Sequence, residues 1–106
     1  MPINITQDNF EKEIIKSSTP VVIDIYATWC GPCQFMTSII EELEEEYAGK
    51  YKFAKINVDE ARELAIKFSV SSVPTFIFMK NGQVTGKETG QMSKEELQTK
   101  IDELLG

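Results

Sequence analysis

The run Val21-Val22-Ile23-Asp24-Ile25-Tyr26-Ala27-Thr28-Trp29-Cys30-Gly31-Pro32-Cys33 contains both cysteines of a 106-residue chain. Its first six residues are almost continuously apolar, as expected of a strand covered on both faces. After the cysteines, Phe35, Met36, Ile39, Ile40, Leu43 and Tyr47 recur at three- and four-residue steps, so a helix is expected from about Cys33 to Gly49. The cysteine pair therefore lies on the turn that joins a buried strand to a helix.

Outward from this unit, the pattern alternates. Toward the N-terminus, Ile3 to Ile5 reads as a short strand. Thr6 is a candidate N-cap, with Phe10 and Ile14 at helical spacing behind it, and Ser17-Ser18-Thr19-Pro20 ends that helix. Toward the C-terminus, Tyr51 to Val58 is rich in β-formers, and Ala61, Leu64, Ala65 and Phe68 suggest a short helix. Ser69 to Val73 is a loop ending at Pro74. Thr75 to Lys80 is a strand, Asn81-Gly82 signals a type I′ hairpin, and Gln83 to Thr89 returns antiparallel until Gly90. Ser93-Lys94-Glu95-Glu96 is a capping box, and the final helix carries Leu97, Ile101, Leu104 and Leu105 on one face. The order βαβαβαββα predicts an α/β fold: a mixed five-stranded sheet flanked by four helices, its parallel strands linked by helices and its edge formed by the hairpin. The length suggests one domain over residues 1–106.

Composition narrows the function. The chain is 42% hydrophobic and 26% charged, with a net charge of −6. That balance argues against a nucleic-acid backbone or an anionic membrane as the main partner. No apolar stretch is long enough to span a bilayer, and Met1 to Asp8 has no basic start, apolar core or small-residue cleavage site, so no secretory signal is expected. Glu41, Glu42, Glu44, Glu45 and Glu46 read as the solvated face of a helix.

Cysteines spaced as Cys30 and Cys33 serve either zinc or redox chemistry. Zinc takes four protein ligands, or three and a water, and this chain has no His and no third Cys. As a structural staple the pair closes too short a loop to constrain the unfolded chain much. The redox reading has a direct physical basis. Unpaired N–H groups and the positive dipole end at a helix N-terminus stabilise a thiolate. Cys30, ahead of the helix, is expected to be the more exposed and to attack a substrate disulfide. Cys33, one turn in, is expected to resolve the mixed disulfide. Gly31 and Pro32 make the link tight, and Pro32 suits the first helical position. Lowering a thiol pKa from about 8.5 to about 7 raises its thiolate fraction at pH 7 roughly 15-fold. The accompanying loss of nucleophilicity takes back roughly 4- to 6-fold. Most of the rate must therefore come from alignment of the target and from the adjacent second thiol.

Asp24 interrupts an apolar strand, where an unpaired carboxylate is costly. It either reaches solvent or caps a loop, or it is a buried acid of raised pKa that exchanges a proton with Cys33. Lys55, inside the next apolar strand, is its candidate neighbour; the alternative is an ordinary edge lysine.

The run Trp29-Cys30-Gly31-Pro32-Cys33 closely resembles the active site of the thioredoxin family. Asp24, Lys55 with Asn57 and Asp59, Val73-Pro74-Thr75, Asn81-Gly82 and Gly90 extend the resemblance over essentially the whole chain. The resemblance implies the thioredoxin fold and a cis Val73–Pro74 bond beside the cysteines. It also implies an apolar docking surface formed by Trp29, Gly31, Pro32, Val73, Pro74 and Gly90, with the Val73 backbone pairing to an extended substrate segment. The alternative for Trp29 is a core aromatic. By the same resemblance the protein is a cytoplasmic, monomeric protein-disulfide reductase. Its redox-active disulfide is Cys30–Cys33, it binds no further cofactor, and NADPH-dependent thioredoxin reductase recycles it. Three residues depart from the usual pattern: Ser38 replaces a common proline, Tyr26 a common second tryptophan and Gln34 a common basic residue. Two rivals to the reductase stay open at this point, an oxidase or isomerase and a binding module without turnover.

Overall fold

Five strands make one sheet in a computed structural model that describes residues 1–106. They are β1 (Ile3–Asn4), β2 (Val21–Tyr26), β3 (Lys52–Asn57), β4 (Thr75–Lys80) and β5 (Gln83–Thr89). The spatial order is β1-β3-β2-β4-β5. β3 runs parallel to both β1 and β2, whereas β4 is antiparallel to β2 and β5. Three α-helices, α1 (Gly31–Glu46), α2 (Arg62–Lys67) and α3 (Lys94–Leu105), join one π-helical turn, Glu11–Ile15, in covering the sheet. Together these are the mixed sheet and four helices of the thioredoxin fold.

Alternation along β2 divides the core. Val21, Ile23 and Ile25 face a cluster that holds Phe10 and Ile14 near the π-helical turn and Leu64 on α2. Val22 faces the other cluster, with Met36, Ile40 and Leu43 of α1 and Leu97 and Ile101 of α3. Period-two geometry puts Asp24 on the Val22 face, beneath α1. Its register neighbours are Lys55 on β3 and Phe76 on β4. As Phe53, Phe76 and Phe78 are fully buried there, truncating one to Ala would cost about 3–5 kcal/mol. A rigid apolar layer thus holds the one carboxylate in place.

The caps explain where elements start. Cys30, in an extended conformation, is the N-cap of α1, with Pro32 in the first turn, so the helix begins at Gly31, two residues before the sequence pattern suggests. It ends after Glu46 rather than at Gly49. Phe35 belongs to neither core. It lies off the stripe formed by Cys33, Met36, Ile40 and Leu43, and its ring is half exposed. Thr6 is not an N-cap, because its hydroxyl accepts from the Asp8 N–H in a turn that precedes Glu11–Ile15. The Lys16 N–H reaches back five residues to the Glu11 carbonyl, which makes that short helix π-type. At the hairpin, Asn81 and Gly82 both have positive φ, 55° and 76°, as a type I′ turn demands. Ser93 and Glu96 form the expected capping box.

Candidate active site

Cys30 and Cys33 are joined as a disulfide at the head of α1, with Cα atoms 5.2 Å apart. The Cys33 N–H donates to Cys30 Sγ at 3.1 Å. This is one of the orphan N–H groups of the helix start, and it points at the sulfur that would carry negative charge after reduction. The Cys30 N–H donates to Ala27 O at 3.3 Å, which closes the turn between β2 and α1. Cys30 Sγ lies 3.8 Å from the carbonyl oxygen of Val73. Both cysteines are buried in the oxidised form: Cys30 is 5% exposed and Cys33 3%. The expected contrast between an exposed Cys30 and a buried Cys33 is not present in this form, because the bridged Cys30 lies in a cluster with Ala27 and Cys33, against Tyr26, Val58 and Val73.

Trp29 projects outward with 71% of its surface exposed and is no core aromatic. Its orientation has a visible cause. The Asn57 side chain accepts from the Asp59 N–H at 2.9 Å, and Asp59 Oδ2 in turn accepts from Trp29 Nε1 at 3.1 Å. The indole therefore forms one wall of a groove of ≈ 750 Å³ shared with Val58, Ile66, Val70 and Val73. Gly31 and Pro32 are exposed beside it and Val73 is half-buried. Pro74 is the exception on the expected docking surface. It is buried behind Val73, its bond to Val73 is cis, and its carbonyl accepts from the Gly90 N–H at 2.8 Å. Gly90 has φ +102°, a conformation that L side chains rarely adopt. Pro74 and Gly90 thus brace the Val73 loop from behind.

Asp24 is buried, at 7% exposure, and its Oδ1 has no hydrogen-bond partner. It lines a cavity of ≈ 100 Å³ with Tyr26, Thr37, Ile40, Glu41, Lys55 and Pro2. Burial pushes its carboxyl pKa up from 3.8 to about 7, and the nearby Lys55 cation pulls the other way without offsetting it. Lys55 is half-buried on an interior strand, so it is not an edge lysine. The cavity extends to Thr37, whose hydroxyl donates to the Cys33 carbonyl at 3.3 Å. One turn of α1 thus connects the acid's chamber to the second cysteine. Ser38 is exposed on that helix, which runs through it unbroken.

Sequence patterns missed part of the groove. Ile66 stands outside the apolar stripe of α2 (Ala61, Leu64, Ala65, Phe68), and that misfit was the available signal. Ser71, Ser72 and Arg62, which also line the groove, carry no local signal of it. Two further properties bear on chemistry. No group of three or more His, Cys, Asp or Glu side chains is placed to hold a metal ion, and no helix is long and apolar enough to cross a membrane.

A disulfide at a helix N-terminus, beside an open groove and above a buried acid of raised pKa, defines a thiol–disulfide exchange protein. The relatives narrow that class. The thioredoxin family model matches residues 1–103. The chain is 40% identical to the thioredoxin of Chlorobaculum thiosulfatiphilum over 95% of its length and 94% of the relative's. It is 35% identical to that of Pseudomonas aeruginosa over 94% and 93%, and 34% identical to thioredoxin C-2 of Corynebacterium nephridii over 95% and 94%. The chain belongs to the thioredoxin family. It is a thiol–disulfide oxidoreductase, a protein-disulfide reductase that works through the Cys30–Cys33 pair.

Proposed function

We propose that Cys30 is the attacking sulfur and Cys33 the resolving one, and that the substrate disulfide approaches from the Trp29–Val73 groove. The observation that carries this reading is the Cys33 N–H directed at Cys30 Sγ, 3.1 Å away, in a turn that abuts the groove. The Cys30 thiolate attacks one sulfur of the target, which forms a mixed disulfide and releases the other as a thiolate. Cys33 then gives its proton to Asp24, attacks Cys30 Sγ and expels the second target sulfur. The target leaves as two sulfurs, one taking the proton back from Asp24 and the other protonated by water, and Cys30–Cys33 is left as the disulfide. The Asp24 pKa of about 7 lets the acid take up and return that proton near neutral pH. Gly31 and Pro32 keep the two sulfurs in reach, and Lys55 limits how far the acid's pKa rises. Trp29 and Val73 contact the target, while Pro74 and Gly90 hold the Val73 loop.

The whole of residues 1–106 acts as one domain, as a monomer with no bound cofactor beyond its disulfide. Thioredoxin reductase, drawing on NADPH, returns the pair to the dithiol in the cytoplasm. The decisive assay is reduction of insulin disulfides with NADPH and a thioredoxin reductase. NADPH consumption that depends on this protein supports the reading, and its absence removes it. A reduction potential near about −270 mV, the range of thioredoxins, would accompany that result; about −120 to −180 mV would point to an oxidase or isomerase.

A further inference from the structure

Arg62 is the only arginine in the chain and the only cation among the residues lining the groove beside the disulfide. It is exposed on α2, and none of the ion pairs of the protein includes it. The groove's one anion, Asp59, stands three residues before Arg62 and makes no ion pair with it; its Oδ2 accepts from the Trp29 indole instead. Glu60 and Glu63 flank Arg62 in sequence, are exposed and do not line the groove. The remaining walls are mainly apolar: Trp29, Val58, Ile66, Val70 and Val73. An extended segment laid along them meets one unpaired guanidinium, whose planar donor fork matches a carboxylate. Elsewhere the chain's net charge of −6 works against an acidic segment. Within the groove a carboxylate near the target disulfide therefore finds its attractive contact at Arg62, and the contact fixes the segment's register.

We infer that Arg62 is a specificity-determining residue, pairing with an Asp or Glu that flanks the attacked cysteine of the substrate in the groove. The inference rests on the reading that Cys30 receives its targets from that groove, and it goes further by naming their chemistry.

The test uses the full-length reduced protein and a set of peptides with one internal disulfide. The peptides are identical except for Glu, Gln or Lys placed in turn at positions one to four from either cysteine. At one position the wild-type protein should reduce the Glu peptide about 2- to 5-fold faster, in kcat/KM, than the Gln peptide. That is the scale of an exposed ion pair. The Lys peptide should be slower than both, and the preference should collapse at about 1 M salt. Arg62→Glu should invert the order at the same position, Lys over Glu. Lys80→Glu, with the same change of charge on the hairpin side of β4, should keep the wild-type order. Equal rates for the three peptides at every position, or an order that Arg62→Glu and Lys80→Glu shift alike, would overturn the inference and leave the disulfide reductase standing. Failure of the wild type to reduce any peptide would overturn the underlying reading, and this inference with it.

Discussion

The disulfide separates two unlike spaces. Toward α2 lies an open groove of ≈ 750 Å³ walled by Trp29, Val70 and Val73. Beneath α1 lies a cavity of ≈ 100 Å³ that holds the Asp24 carboxylate. The groove reaches the redox pair through Val73 and the cavity through Thr37, yet charge behaves differently in each. In the groove, Asp59 and Arg62 are exposed and screened by water. In the cavity, burial moves Asp24 from 3.8 to about 7. The lesson is that position relative to the sheet's two layers, more than residue type, decides how strongly a charged group affects the chemistry.

The strongest way to break the comparison is to remove the sulfurs that join the two spaces. Cys30→Ser should abolish turnover in the insulin assay, since the one other thiol, Cys33, lies inside the first turn of α1. Cys33→Ser should also stop turnover but trap the target as a mixed disulfide on Cys30, visible by mass spectrometry. If both variants turned over normally, neither space would serve the reaction.

Next in size is the cavity acid. In the folded oxidised protein Asp24 keeps its proton until about pH 7, whereas the unfolded chain releases it near 4. Between those values the folded state binds more protons, so stability falls as pH rises, by about 4 kcal/mol across the window. Asp24→Asn should remove that slope. Urea unfolding should find the variant more stable than wild type at pH 8, with the difference gone below pH 4. Parallel curves at all pH values would place the carboxyl in water. The same variant should slow turnover chiefly above neutral pH, where the wild-type carboxylate accepts the proton.

Lys55→Met sharpens the comparison by changing only the cavity's electrostatics. The Lys55 cation holds the Asp24 pKa down, so its loss should raise the carboxyl titration above about 7, as followed by NMR. A fall would mean that burial is not the dominant cause. The smallest stability effect belongs to the groove. Trp29 is largely exposed, so Trp29→Ala should change folding stability by no more than about 0.5 kcal/mol. It should nevertheless raise KM for protein disulfides several-fold, because it removes a groove wall. A large loss of stability instead would make Trp29 a packing residue.

Much of this was legible in the chain. Strand β4 and the hairpin that follows it agree with their expected bounds, because β-branched and aromatic runs and the Asn81-Gly82 turn are local signals. The same is true of the Ser93 cap. The start of α1 was less clear, because apolar spacing cannot see that Cys30 itself caps the helix through its sulfur. Phe35 fits a list of apolar residues but not the angle of the buried stripe. Pro74 is buried rather than displayed because the Val73 loop folds over it and Gly90 ties its carbonyl from behind.

The sequence by itself determined the element order, the helix-entry position of the cysteines and the presence of an acid within a buried strand, since each depends on neighbours a few residues apart. Tertiary structure alone decided that Thr37 shares a chamber with Asp24, that Asp59 orients Trp29 from thirty positions away, and that Arg62 and Val73 face one groove. Those relations depend on strand register and on how helices settle across the sheet. Burial and the distance between remote side chains are properties of that packing, and no local periodicity encodes them.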